Sequence, residues 1–437
     1  MFETLRNALK VQDIRKRLLF TLFILIVTRL GCQLPIPGID SNQISSYMDQ
    51  LLGDSFNLLN SFTGGSFEQM SVFALNVTPY ITASIIMQLL TIAIPALEEM
   101  QRDGEDGRKR MNNITRFVTV GLSLLESTGI AIGFRNSGLL GDYSPLIVLE
   151  MVICLTSGAI FVMWLGEQIT DKGIGNGISI ILLVNIVSRM PGDFFRLYEQ
   201  FVKGKQIGPM VIAIAIILGV VIGTIVLTIL LNDAERKIPV QYSGKLQGRR
   251  QVGGQGSVLP IKVNTANVIP VIFASSLLQF PVVIKQLLGA NPSGAAGFFF
   301  NCLSQNNWCN PDHWEYSIGL IIYLALTVMF AYFYTSITFN PIEIANNMKK
   351  QGGFIPGIRP GRPTTDYLNS ILGYIIFIGA VGLCIIAVIP IFFNGYFGAN
   401  VSFGGTSIII VCGVVLETLK QIESQMLVRH YSGFLTE

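Results

Sequence analysis

Charge is scarce in this sequence. Of 437 residues only 13% are Asp, Glu, Lys or Arg, while 51% are hydrophobic; an ordinary soluble domain carries about a quarter charged residues. Histidine is scarcer still, with His313 and His430 the two examples, both outside the long apolar runs. Those runs contain no Asp either. The six cysteines never fall in CxxC spacing, and Cys32, Cys154, Cys384 and Cys412 lie in or beside apolar runs, where a thiol acts as a small hydrophobe. The glycines of 173–177 lack the Gly-Lys-Ser/Thr ending of a phosphate-binding loop. These gaps argue against a soluble protein, an ATPase, a dedicated metal centre and any cofactor. With no nucleophile–base pair in the apolar runs, they also argue against an intramembrane protease or lipid transferase. Arg15, Lys16 and Arg17 before Leu18 imitate the start of a cleavable signal, but the following apolar run is long and no small-residue site ends it.

What is present is apolar length. A membrane crossing needs roughly 20 mostly apolar residues. Ten stretches meet that need: 18–34, 72–97, 114–134, 146–166, 174–190, 209–231, 268–288, 315–339, 367–391 and 406–428. The expected fold class is therefore an all-α polytopic membrane protein. Loops 35–71, 289–314 and 392–405 contain no Lys or Arg, whereas the alternate loops carry Arg102, Arg108, Lys109, Arg110, Lys172 and the basic clusters of 232–267 and 340–366. Arg135, Arg196, Lys203 and Lys205 are the exceptions. Cytoplasmic loops are enriched in Lys and Arg, so both termini are expected in the cytoplasm.

The chain divides into five parts. Residues 1–17 place Phe2, Leu5, Leu9 and Ile14 among basic residues, the spacing of a helix lying on an anionic leaflet; a solvated basic tail is the alternative. Residues 18–190 and 209–428 form two halves of five spans, joined by 191–208, and 429–437 is a tail. Loops 232–267 and 340–366 are long and basic. The first contains KIPVQYS and SVLPIKV around Gly-rich turns, which suggests a hairpin. The second, KKQGGFIPGIRPGRPT, is shaped by Gly and Pro. Topogenic charge explains their sign; their length suits docking of an acidic partner, nucleic acid included.

The stretch 57–97 is the most unusual. Its first part is broken by Gly64-Gly65 and too short to cross, and Asn76, Thr78 and Pro79 stand near the start of the second. Non-helical backbone at membrane depth survives only inside protein or beside water. A short re-entrant piece feeding a spanning helix fits this, and so does an outer loop with a frayed helix start. Val77 and Ile81 share a helical face, as do Ile178 and Leu182. Apolar side chains facing one another at a constriction can gate by dewetting; plain core packing gives the same spacing. Charges at depth, chiefly Arg29, Glu126, Glu417 and Lys420, are costly and are expected to face protein or water.

Seven motifs occur in order: LPIPGI (34–39), SFTGGS (61–66), TPYITASIIMQLL (78–90), WLGEQITDKGIGNGISI (164–180), VIPVIFASS (268–276), FNPIEIANNMKKQGGFIPGIRPG (339–361) and FGGTS (403–407). Together they resemble the SecY family, the channel subunit of the bacterial Sec translocon, related to the eukaryotic Sec61 alpha subunit. The resemblance implies two pseudo-symmetric halves around an hourglass pore that passes unfolded secretory polypeptides and releases apolar segments sideways into lipid. It implies a pore ring of Val77, Ile81, Ile178, Leu182, Ile272 and Ile410. It also implies a plug helix over 57–71, including Asn57, Leu58, Leu59, Phe62, Gly64, Gly65, Phe67 and Met70. A lateral gate is implied between the second and third spans and the seventh and eighth, with Gln88, Ser275 and Ser276 as polar candidates. Docking would fall on Arg249, Arg250, Lys349, Lys350 and Arg359. The implied partners are SecE-type and SecG-type small membrane subunits, the motor ATPase SecA, the ribosome, signal peptides with their nascent chains, and the bilayer itself.

Cys302 and Cys309 lie outside the resemblance. In a loop on the outer side they are a candidate disulfide. The competing functional class is a secondary transporter with Glu126 and Glu417 coupling ion movement to a solute. A scaffold for other membrane proteins, without a pore, is a third reading.

Overall fold

The computed structural model describes residues 10–37, 63–136, 145–203, 207–242, 245–247, 250–252, 256–287, 294–311, 313–397 and 405–433. Each of the ten expected spans coincides with a helix. The first half contains α1 (Gln12–Gly31), α2 (Thr78–Ala93), α3 (Pro95–Arg102), α4 (Gly104–Asn136), α5 (Pro145–Lys172) and α6 (Gly177–Phe201). The second begins with α7 (Ile207–Asp233), strands β1 (Glu235–Tyr242), β2 (Lys245–Gln247), β3 (Arg250–Val252) and β4 (Gly256–Lys262), and α8 (Ile269–Leu287). It continues through α9 (Ala295–Leu303), α10 (Ile318–Thr338), α11 (Pro341–Lys350), β5 (Gly353–Phe354), α12 (Arg362–Phe397) and α13 (Gly405–Gly433). Among the described residues six helices are long and apolar enough to cross a membrane, and a seventh if α2 and α3 count as one broken span.

Two helix boundaries differ from the sequence reading. The second span was expected to be helical from residue 72, but 72–77 are turns and α2 starts at Thr78 with Pro79 in its first turn. Its far end breaks at Ile94, held extended (φ −117°, ψ 109°) ahead of Pro95, and α3 leaves at 107°. The cause is local: proline lacks an N–H and pushes the preceding residue out of the helical region. At the amino terminus, residues 1–9 lie outside the described residues. Arg15, Lys16 and Arg17 lie in the first turns of α1.

Hydroxyls within the spans bond back to their own helices, as Thr28 does to the Ile24 carbonyl (2.9 Å) and Thr327 to that of Tyr323 (2.8 Å). Such back-bonding satisfies a polar group where water is absent. Ser127 and Thr156 instead join α4 to α5 at 2.9 Å. Small residues bring α5 and the start of α6 together: a Cβ on Gly177 would collide with the Gly166 carbonyl, and one on Gly166 would lie 2.5 Å from Ile178 Cδ1. Close backbone approach through glycine is the usual device of helix packing in lipid.

At the basic end the expected hairpin is present. β1 and β4 pair antiparallel from Glu235↔Lys262 to Gln241↔Gly256. A further strand joins them: β5, from the 340–366 loop, pairs with the end of β1 through Gln241↔Phe354 and Tyr242↔Gly353. Pro239 can stand in β1 because β5 does not reach it, leaving that position an edge on one side. Ile238 and Val240 alternate inward and meet Ile261, Met348, Ile355, Leu368 and Leu372 in one apolar cluster. The two basic loops and the start of α12 are thus one packed unit.

Candidate pore and its outer neck

All six positions implied as a pore ring fall in one apolar cluster at the centre of the molecule. Val77, Leu182 and Ile410 are buried in it; Ile81, Ile178 and Ile272 are half-buried against it. They come from four helices, and each lies at or within the first six positions of its own: Val77 caps α2, and Ile178 and Leu182 belong to the opening turns of α6. Asn176 fixes where α6 begins, its Oδ1 accepting the backbone N–H groups of Ile178 (3.2 Å) and Ser179 (3.4 Å). An N-cap of this kind satisfies donors the helix leaves open.

The re-entrant stretch is only partly as expected. Asn57, Leu58, Leu59 and Phe62 lie outside the described residues. From Gly64 to Met70 the chain is a series of turns, not a helix. Gly64 (φ +67°), Gly65 (φ +85°), Met70 (φ +43°) and Asn76 (φ +48°) all adopt left-handed backbone, which glycine tolerates and other residues adopt only at special turns. Phe67 and Met70 do not join the ring cluster. They pack into a second core with Ile36, Ala74, Leu75 and residues of α4 and α5. The base of this neck is tied to the LPIP segment after α1, since Ile36 N–H donates to the Met70 carbonyl (3.1 Å) and Val72 N–H to that of Leu34 (2.9 Å).

Polar groups gather where the neck passes α6. Arg29 Nη1 lies 3.4 Å from the Gly64 carbonyl and 3.4 Å from Asn185 Oδ1, one nitrogen reaching both. A Cβ on Gly64 would lie 2.6 Å from that nitrogen and 3.0 Å from Asn185 Cβ, so only glycine permits the approach. Arg189 meets Glu68 at 3.4 Å. Asn76, fully buried, donates to the Thr63 carbonyl at 3.4 Å, and its Oδ1 is enclosed without a hydrogen-bond partner among the described residues. The sequence marks Arg29 as an ionisable group in a span but does not supply its partners, which lie 35 and 156 residues away.

At the expected lateral gate α8 packs against α4 and α10, with Phe273 edge-on to Phe330 at 5.6 Å. Gln88 is half-buried on α2 and its Oε1 is enclosed without a partner among the described residues. Ser275 is fully buried, and its hydroxyl bonds the Val271 and Ile272 carbonyls of its own helix (2.9 and 3.0 Å). It therefore offers no polar group to a seam. Ser276 is half-buried.

Of the docking residues, Arg249 lies outside the described residues and Arg250 opens β3. Lys349 and Lys350 are exposed in the last turn of α11, and Arg359 is exposed in the turn before α12. Left-handed glycines at 352, 357 and 361 shape that turn.

The candidate disulfide is corrected: Cys302 and Cys309 are both buried free thiols. Between them Trp308 is fully buried, its indole donating to the Cys302 carbonyl at 2.7 Å, while a left-handed Cys309 (φ +60°) packs against Gly395. Burial, with the Glu315 carboxylate second, pushes the Cys302 thiol up; burial alone pushes up that of Cys309.

Helices around an apolar waist, with buried non-helical backbone beside it and a basic sheet at one end, define an all-α polytopic membrane protein. A model of the SecY family matches residues 71–419. A protein translocase subunit SecY from Streptomyces galbus is 43% identical over 451 aligned positions, covering 100% of both chains. One from Halalkalibacterium halodurans is 41% identical, again with 100% of each covered. The chain belongs to the SecY family. Solved structures share its fold. One described as a protein conducting channel has a TM-score of 0.67 at 20% identity, covering 95% of this chain and 93% of the other. Sec61 in a canine ribosome-channel complex has 0.63 at 19%, with 95% and 93% covered.

Proposed function

We infer that this chain is the pore-forming subunit of a protein-translocation channel. It passes unfolded secretory polypeptides across a bacterial plasma membrane and lets apolar segments leave sideways into lipid. The observation that carries this reading is the gathering of Val77, Ile81, Ile178, Leu182, Ile272 and Ile410 from four helices into one apolar cluster beside a buried non-helical neck. An apolar constriction excludes water and ions without charge, which suits a passage that must open for a chain and otherwise stay dry. No group in it does covalent chemistry, so the chain is a conduit rather than an enzyme.

Energy and specificity then come from partners. The basic sheet and the exposed Lys349, Lys350 and Arg359 support docking of SecA and the ribosome on the cytoplasmic side, with both termini there as the charge bias requires. SecE-type and SecG-type subunits would complete the channel. The α8 seam with α4 is where a signal segment would partition, shifting the population toward an open state.

Ile81→Asn with Ile178→Asn tests the reading. In reconstituted bilayers the variant is expected to conduct ions at rest where the unaltered protein does not. Equal resting conductance would remove the ring assignment. Translocation of a secretory precursor into vesicles with SecA and ATP tests the conduit itself.

A further inference from the structure

We propose that Arg29, Asn185, Arg189 and Glu68 form a clasp that fastens the 63–71 neck against the outer side of the apolar ring and so sets how tightly the resting channel is sealed. The proposal rests on the conduit reading and adds to it the side chains that hold the neck. Gly64 packs against Asn185, three residues beyond Leu182 on α6. The neck therefore stands one helical turn from the ring, on its outer side if the termini are cytoplasmic.

Each part of the clasp has a physical reason. Arg29 ends the first span and Arg189 lies late in the fifth, so two helices of the first half each direct a cation at the same short segment. A guanidinium taken out of water must find acceptors. For Arg29 these are the Gly64 carbonyl and Asn185 Oδ1, both 3.4 Å from Nη1. The left-handed Gly64 turn exposes that carbonyl, and its missing Cβ makes room for the approach. For Arg189 the acceptor is Glu68 at 3.4 Å, with the two side chains 11% and 29% exposed, sheltered enough that salt would screen the pair less than a surface one. The contacts are also long enough to be given up. Arg189 has a second carboxylate, Asp193, within electrostatic reach on its own helix, and Arg29 keeps Asn185. Departure of the neck thus strands neither cation. Meanwhile Phe67 and Met70 remain gripped by the second core, so the clasp acts at the Gly64–Glu68 end while the base stays anchored.

A charge-reversal cycle in planar bilayers tests this. Glu68→Arg and Arg189→Glu are each expected to raise resting ion conductance several-fold, and the double variant to return it toward that of the unaltered protein. Gly64→Ala, which drives a methyl into Arg29, is expected to leak as well. Single variants that stay silent, or a double variant as leaky as the two singles combined, would overturn the clasp. If a reversal prevents accumulation in the membrane, Glu68→Gln and Arg189→Gln keep the shape and take the same measurement; unchanged conductance in both overturns it equally. Ring variants that leak beside silent neck variants would remove the clasp alone. Ring variants that stay silent would remove the ring assignment on which the clasp rests, and absent precursor translocation would remove the conduit reading beneath both.

Discussion

Cys302 and Cys309 show how a single residue's surroundings decide its chemistry. Each is buried beside Trp308, and burial favours the neutral thiol over the thiolate. Both pKa values stand above that of an ordinary cysteine, so their contribution to folding is full below the usual thiol range and declines as the pH rises through it. Alkylation at pH 8 is expected to be slow on both in folded protein and rapid after denaturation, with two added labels on the 294–317 segment by mass spectrometry. The expectation of a bridge came from their place in a loop without basic residues. Sequence contains the spacing of two cysteines but not the burial that surrounds each, nor the bond from the Trp308 indole to the Cys302 carbonyl. Gly177 is a second such case. Its Cβ position is occupied by the Gly166 carbonyl, so Gly177→Ala should force α5 and α6 apart at a cost of about 1–3 kcal/mol, read as a lowered unfolding temperature in detergent.

At the scale of elements, the helices were legible and their breaks less so. Apolar length marks the helices, because a bilayer demands it whatever the tertiary structure, and among the described residues six, or seven with the broken pair, meet that demand. The break at Ile94-Pro95 and the delayed start of α2 depend on how much non-helical backbone the surrounding protein can satisfy, and that is a property of neighbours. The neck is the clearest example. Gly64-Gly65 and Asn76 signal irregular backbone, and the chain at 64–70 does fold as turns, but nothing in the sequence turns Phe67 and Met70 toward α4 and α5. Helix starts carry a prediction. Asn176 and Asn340 cap α6 and α11 by the same two bonds. Either Asn→Ala change should cost about 1 kcal/mol. Of the two, Asn176→Ala alone is expected to raise resting conductance, because α6 carries proposed ring positions in its opening turns and α11 carries none. Bilayer recordings of the two variants side by side check this.

For the whole molecule, the pairing of β5 with β1 matters most. It joins the two basic loops through residues more than a hundred positions apart in the chain, and their shared sheet is only two residue pairs wide on that side, too short to leave a periodic signal. Its apolar underside joins both to α12. Val240→Asp should place a charge in that cluster and loosen the 340–366 loop without touching an exposed cation. It is expected to speed proteolysis within 351–361 and to weaken SecA-driven translocation. Arg359→Glu should weaken translocation while leaving proteolysis unchanged. The six positions proposed as the ring come from the family resemblance alone, since their own spacing matches ordinary core packing as well.

The two hydrogen bonds between residues 34–36 and 70–72 make the excursion between them a closed bight, both ends moored to one bollard. Whatever lengthens or trims such a bight leaves the moorings where they were, since adding residues to a surface loop changes its closure entropy only slowly. The end of α1 and the approach to α2 are thereby lashed together at residues 34–36 and 70–72, whatever the length of chain paid out between them.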